Sequence, residues 1–376
     1  MSKSPGKQLV LVGGGHAHMT VMSQLDHYTG RGHHVTLISP YPYHYYSGMG
    51  PGLLSGIYKP EEVRFHVQKM VEDRGGVFVR DTVVRVDPKQ RALFLNSGKQ
   101  VHYDVASFNV GSHVPVRSAP VSDSNVYTAK PVQNLSKARQ AILESAKGEK
   151  LRLVVVGGGP SALEISGNLW RLVHDNGITA MISLLAGRKL LSPFPQKLRR
   201  LAMDSFTQRG IEVIEGVRVG RIGSGNAFLE DGRGYPFDFL FLAWGIRPPT
   251  LFEESGLAVG KDGGLLVDNY LRSVASPEIF GGGDCISLQG RHLDKVGVYA
   301  VRQNPILYHN LLAALEGGKM KRFDTSEVYL LLFNLGDGKA IFSRKGWIWY
   351  GRFNFLLKDY IDRRFMRKFQ VSGELS

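Results

Sequence analysis

Two short apolar runs that each break into three glycines constrain this chain more than any other feature. Residues 9–12 (LVLV) lead into Gly13-Gly14-Gly15-His16-Ala17-His18, and residues 153–156 (LVVV) lead into Gly157-Gly158-Gly159-Pro160-Ser161-Ala162. A helix-like stretch follows each turn, and then a β-rich run, at 34–38 and at 181–185. Strand, glycine turn, helix and strand make a βαβ unit, whose small turn residues let a pyrophosphate approach the N–H groups at the helix N-terminus. One such pattern is a weak signal, because many glycine clusters are only tight turns. Two copies in the same context predict two nucleotide sites.

Between the turns, 77–86, 91–96 and 100–103 read as strands, the last two joined by Ser97-Gly98. A further strand runs into Asn109-Val110-Gly111-Ser112, and 239–243 runs in the same way into Trp244-Gly245-Ile246-Arg247-Pro248. These paired exits mark crossings between domains. The expected division is a first domain of 1–129 and 245–325, a second of 130–244 inserted into it, and a C-terminal segment of 326–376. Gly281-Gly282-Gly283-Asp284 closes another strand-like stretch, and its acid either accepts a hydrogen bond from a cofactor hydroxyl or caps the element that follows.

Composition narrows the chemistry. No apolar run approaches the ~18 residues of a membrane-spanning helix. Cys285 is the single cysteine, which removes an internal disulfide and any Cys-x-x-Cys pair, so a dithiol mechanism is excluded. The opening residues do not read as a secretory signal, and a cytoplasmic location is expected. A formal net charge of +14 favours anionic partners.

These residues resemble the pyridine nucleotide-disulfide oxidoreductase superfamily, flavoproteins with two dinucleotide-binding domains. The likeness runs through both glycine turns, Val110-Gly111-Ser112, Glu164, WGIRP at 244–248, Gly283-Asp284 and VGVYAVRQ from Val296. Within that superfamily the chain is most similar to the branch of type II NADH dehydrogenases and sulfide:quinone oxidoreductases. VGGGHAH, LISPYPYHYYSGMGPG and LKDYIDRRFMRKF resemble, more narrowly, the flavoprotein domain fused to selenide, water dikinase. The resemblance implies an α/β fold of two Rossmann-like dinucleotide-binding domains in three-layer ββα form, the second inserted in the first, with a C-terminal amphipathic segment. It implies FAD on Gly13, Gly15, His16, Ala17, His18, Ser39, Gly111 and Asp284, with the flavin ring beside the helix from Gly297. N–H groups near Val298 and Tyr299 would there stabilise negative charge on the ring. NAD(P) is implied on Gly157, Gly159, Ser161, Glu164, Arg188 and Gly245.

Several positions depart from the family pattern. His18 stands where a small residue is usual, so His16 and His18 are candidates to contact phosphate; without carboxylate or cysteine support they make no metal site. Residues 37–40 (LISP) lack the usual acid for the adenosine ribose, and Ser39 is a weak substitute. Residues 184–189 (LLAGRK) lack the acid for a ribose 2′-hydroxyl; Arg188 and Lys189 either pair with a 2′-phosphate, favouring NADPH, or form a solvated loop. Candidate catalytic residues are Tyr45 and Tyr46 in an aromatic, glycine-rich loop, Glu164, and Lys295, with Lys130 as a second amine able to reach the flavin. Ordinary packing and solvated lysines are the competing readings. Sulfur-relay chemistry does not fit one cysteine, so electrons enter the flavin directly.

The tail localises the charge. From 345 to 368 seven basic residues face two acidic ones, a net +5, while Phe353, Leu356, Leu357, Tyr360, Ile361, Phe365 and Phe369 recur at helical spacing behind Trp347 and Trp349. Such a helix suits adsorption to an anionic leaflet, here the inner face of a membrane, or docking on the flavin domain or in a homodimer. No nucleic-acid module accompanies the charge, and removal of residues after Gly351 is expected to leave a flavin-binding core. The expected function is FAD-dependent electron transfer from NAD(P)H or a small reductant to a quinone. Alternatives are a nicotinamide-independent flavoenzyme oxidising reduced sulfur or selenium, and a non-catalytic flavin-binding sensor or interaction protein.

Overall fold

A computed structural model describes residues 6–115, 125–146, 148–325 and 328–374. Near-continuous apolar runs suit parallel strands covered on both faces. The first run is β1 (Gln8–Val12), followed by the short helix α1 (Met19–Ser23), β2 (His34–Ile38), β3 (Val77–Val79) and β4 (Val105–Phe108). The second series is β5 (Val126–Thr128), β6 (Leu151–Val156), helix α2 (Pro160–Asp175), β7 (Ala180–Ala186), β8 (Glu212–Glu215) and β9 (Phe239–Leu242). β10 (Ile279–Gly281) then returns the chain to the first sheet. The two five-stranded parallel sheets run β10-β4-β1-β2-β3 and β5-β9-β6-β7-β8. The strand that feeds each glycine turn is therefore central, and each turn emerges at a C-terminal sheet edge, where α/β proteins hold ligands.

Close approach explains the first glycine of each turn. Gly13 has φ +84° and Gly157 φ +150°, and a Cβ on them would fall 2.4 Å from the Asn109 carbonyl oxygen and 2.3 Å from that of Ala243. Any side chain would push the turn off the neighbouring strand.

Each parallel sheet is accompanied by a three-stranded antiparallel one: Val83–Asp87, Ala92–Leu95 and Gln100–His102 in the first half, and Val219–Gly223, Asn226–Leu229 and Gly234–Pro236 in the second. The run 77–86 is therefore not one strand. It breaks at Asp81, whose carboxylate accepts the Thr82 N–H at 2.7 Å, and its halves join different sheets. β5 pairs with β9, so the second sheet takes in residues ahead of position 130.

After the long helix α3 (Gly297–Glu316) come the antiparallel strands β11 (Leu331–Asn334), β12 (Ala340–Arg344) and β13 (Trp347–Gly351), and helix α4 (Arg352–Phe369). The orientation of α4 corrects the sequence expectation of one apolar face. Asn354, Lys358, Asp362, Met366 and Phe369 are buried, while Phe353, Leu356, Tyr360 and Ile361 are exposed. Its end is pinned, because the Gln370 amide donates to the carbonyls of Glu61 and Arg64, and Glu374 accepts the His66 N–H.

Candidate functional site

A cleft of about 2020 Å³ opens between the two parallel sheets, walled on its third side by the C-terminal strands and α4. Gly157, Gly159, Ser161, Glu164, Arg188 and Gly245 all line it, so the whole expected second-nucleotide set comes together. A Cβ on Gly159 would meet nothing within 4 Å, which leaves the N-terminus of α2 open to a ligand.

The opposite wall carries the start of α3. Its first turn has no side-chain cap, and Gly297 and Val298 face the cleft. Uncapped N–H groups at a helix N-terminus favour an anion. Tyr299 turns aside: its N–H bonds the Val296 carbonyl at 3.1 Å, and its ring meets Tyr329 edge-on at 5.4 Å.

At the first glycine turn, the Asn109 side chain forms a bridge that sequence reading missed. Its Oδ1 accepts the Ala17 N–H at 3.3 Å and its Nδ2 donates to the Gly282 carbonyl at 2.5 Å. A Cβ on Gly15 would lie 1.8 Å from that Oδ1. His16 sits at the same turn, edge-on to His44 at 4.6 Å and to Tyr46 at 5.1 Å. Burial, with help from the nearby Lys130 charge, lowers the His16 pKa to about 3, so its ring is neutral. The Nε2 atoms of His16 and His44 are buried without a protein partner. Buried polar atoms are rarely left so in a complete site. These orphaned nitrogens, the glycine turn and the open N-terminus of α3 fit a flavin dinucleotide.

Two expected FAD contacts are corrected. His18 is fully buried, with Nδ1 against the Gly13 carbonyl at 2.7 Å and Nε2 against the Ser107 hydroxyl at 2.8 Å. Both ring nitrogens are spent on holding the turn, and burial lowers its pKa to about 4. Ser39 donates its hydroxyl to the Tyr41 carbonyl at 3.1 Å, closing its own turn rather than facing a ribose.

Asp284 lies in a short turn, Gly283–Cys285, and caps no helix; its carboxylate pairs with Lys130 and accepts the Ser112 hydroxyl at 2.8 Å, one residue beyond Gly111. Lys130 is thus an ion-paired residue joining the two halves. Lys295 is likewise committed, to Asp262 at 2.8 Å and to the Ile286 carbonyl, which corrects its reading as an amine free to reach the flavin. Cys285 is buried against the carbonyls of Phe108 and Gly282, and burial raises its thiol to about 11.

The catalytic candidates divide. Tyr45 packs on the first core and Tyr46 lines the cleft, its hydroxyl donating to Asp362 at 3.1 Å. Glu164 accepts the Asn334 N–H at 2.8 Å, and burial, opposed by the Lys358 charge, raises its pKa to about 7. Lys358 and Asp362, read from sequence only as part of the tail's charge balance, are 10% and 7% exposed and pair at 2.6 Å inside the cleft. Lys358 also donates to the Gly48 carbonyl at 2.7 Å. The available signal was the spacing of four through Asn354, Lys358, Asp362 and Met366, which is one helical stripe.

The model of the family described as pyridine nucleotide-disulphide oxidoreductase matches residues 7–310. Relatives include the external alternative NAD(P)H-ubiquinone oxidoreductase B1 of Solanum tuberosum mitochondria, 21% identical over 77% of this chain and 56% of that protein. The NADH dehydrogenase-like protein YutJ of Bacillus subtilis is 22% identical, over 75% of this chain and 77% of its own length. The chain spans little more than half the length of the first of these. Among solved structures, the sulfide:quinone oxidoreductase of Aquifex aeolicus superposes with a TM-score of 0.81 at 17% identity, covering 99% of this chain and 93% of that one. NDH2 of Plasmodium falciparum, in complex with NADH, superposes with a TM-score of 0.82 at 15% identity, covering 98% of each. With its two parallel sheets, each feeding a glycine turn, the chain belongs to the pyridine nucleotide-disulphide oxidoreductase family.

Proposed function

We propose that this chain is an FAD-dependent oxidoreductase that takes hydride from NAD(P)H and delivers two electrons to a quinone at a membrane surface. The observation that carries the reading is one cleft that brings the open second glycine turn, Glu164 and the uncapped start of α3 against apolar residues of β11 and α4. FAD, the cofactor that family membership implies, would accept hydride and return the electrons. The chain's own residues bind and orient. Gly157, Gly159 and Ser161 receive the nicotinamide dinucleotide, while the glycine turn at Gly13 with His16, Ala17 and Asp284 receives FAD. Val298 and its neighbours present N–H groups to the reduced ring. Glu164, its pKa raised to about 7, is poised near neutral pH to pass a proton to a reduced quinone oxygen.

The acceptor side is apolar. Ile361, Phe365, Leu331 and Phe333 line the cleft, and the outer face of α4 continues to Trp347 and Phe353, 71% and 68% exposed. Basic residues Arg352, Arg364, Arg367 and Lys368 border that face, which suits an anionic leaflet; a second copy of this chain is the alternative occupant. Among the described residues no helix is long and apolar enough to cross a membrane.

The test is anaerobic: the purified yellow protein should lose its flavin absorbance on addition of NADPH or NADH and regain it on addition of a short-chain quinone. Flavin that stays oxidised with both nucleotides overturns the reading, and bleaching instead by a reduced sulfur or selenium compound would favour the nicotinamide-independent alternative.

A further inference from the structure

The C-terminal segment meets the two domains along two unlike seams. On the second domain the seam is backbone against backbone. Gly167 of α2 and Gly336, in the turn after β11, approach so closely that a Cβ on the first would strike the Leu335 carbonyl and a Cβ on the second the Gly167 carbonyl. Phe333, Leu335, Ile341 and Ile348 enter the same core as α2, and Arg209 donates to the Leu335 carbonyl at 2.7 Å. Packing this close leaves no room to slide. Helix α4 is fastened to these strands by Asn354, whose buried amide donates to the Ala340 and Trp349 carbonyls at 3.1 and 2.9 Å. Strands and helix therefore belong, as one piece, to the second domain.

On the first domain the seam is a row of polar pins around a small apolar plug. Tyr58 donates its hydroxyl to Asp359 at 2.9 Å, and Arg363 pairs with Glu62 at 2.8 Å. Beyond the helix, Gln370 donates to the Glu61 and Arg64 carbonyls at 2.9 and 3.0 Å, and Glu374 accepts the His66 N–H at 3.0 Å. The plug is Met366 and Phe369, the buried side chains that α4 adds to the first core. Water can replace each polar pin, and each contributes little net stability, so this seam opens before the other. What it covers is the first glycine turn. The Phe365 ring of α4 stands 5.9 Å from the His16 ring and 4.9 Å from that of Tyr46, and Phe365 lines the cleft. A dinucleotide seated on that turn, against the orphaned nitrogens of His16 and His44, lies under α4.

We propose that α4 is a latch over the flavin site, which opens at its polar seam with the first domain while β11–β13 stay on the second, and that this opening governs how fast FAD enters and leaves. The inference rests on the FAD reading of the first glycine turn. A latch acts on both directions of exchange alike. FAD cannot pass while it is shut, so uptake and release both scale with the fraction of time it is open, and their ratio, the affinity, stays the same. A residue that only shapes the site would change that ratio.

The test uses Tyr58→Phe with Gln370→Ala, which removes three of the pins and leaves the net charge met by the cofactor unaltered. Exchange of bound FAD for radiolabelled FAD in the full-length holoprotein should become at least about tenfold faster, while the dissociation constant from equilibrium dialysis stays within about threefold. An unchanged exchange rate overturns the latch, and so does faster release matched by an equal loss of affinity; both leave the FAD reading standing. A parent protein that carries no FAD overturns both. Should the double variant fail to fold, hydrogen exchange in the parent decides. The His66 N–H, held by Glu374, should exchange through an opening that leaves the N–H groups of β1 protected. Exchange of the two only together, in global unfolding, overturns the latch.

Discussion

Glu164 shows how one buried carboxylate becomes a measurable quantity. Burial raises it from an ordinary 4.5 to about 7, so the folded protein holds this proton more tightly than the unfolded chain does. Its contribution to stability is therefore complete below the unfolded value and is lost as pH rises through about 7. The Glu164→Gln variant should flatten that part of the profile: the difference between its urea midpoint and that of the parent should change between about pH 5 and about pH 8. Equal slopes would show that the carboxyl is not held protonated. Cys285 makes the opposite case of a group with no chemistry left. Buried, with its thiol raised to about 11, it should resist iodoacetamide in the native protein near neutral pH and react fully after unfolding, as intact-mass measurement would show. At this scale the sequence reading was uneven for a physical reason. Glycine turns are legible because few other residues fit their geometry, whereas His18 and Ser39 look like ligands until their partners, Gly13, Ser107 and Tyr41, are known. Lys295 is misread for the same cause, since Asp262 lies far from it in sequence.

At the scale of elements, α4 was legible as a helix and not as a face. Its periodicity marks a helix, but both an apolar and a polar stripe repeat along it, and only the partner surface decides which turns inward. The polar stripe does so because Lys358 and Asp362 satisfy each other and reach Gly48 and Tyr46. Such a pair is costly to break from one side. Asp362→Asn should destabilise the protein by about 3–5 kcal/mol, because it leaves a buried ammonium without its counter-charge. Replacing both, as Lys358→Met with Asp362→Leu, should recover most of that loss in denaturant titrations. If the double variant is no more stable than the single one, the pair contributes by means other than charge compensation. The second nucleotide turn offers a cleaner substitution. Gly159→Glu meets open space, so FAD content should survive while NADPH affinity falls at least about tenfold through repulsion of the pyrophosphate. Retained affinity with normal flavin content would separate this turn from nucleotide binding.

For the whole molecule, the two faces of α4 set what a membrane experiment can ask. From the sequence, removing everything after Gly351 is expected to leave a flavin-binding core and to weaken vesicle binding sharply. The structure makes that deletion ambiguous, since it would also strip Met366 and Phe369 from the first core and Lys358 from the cleft. The outward residues separate the questions. Phe353, Leu356 and Tyr360 are 68%, 62% and 55% exposed, so Phe353→Glu with Leu356→Glu removes apolar surface and adds negative charge without opening the interior. Burial of these side chains in a leaflet is worth roughly 1.5–3 kcal/mol each, and each nearby basic residue contributes about 1 kcal/mol at an anionic surface. Sedimentation with phosphatidylserine-containing vesicles should therefore bring down the parent protein and leave the double variant in solution, with equal flavin content and melting temperature. High salt should release the parent only in part, because the apolar term is not screened. A variant that still sediments with vesicles would move the attachment elsewhere. If the parent stays in solution and forms a dimer that the same substitutions dissociate, the exposed face of α4 belongs to a second copy of the chain.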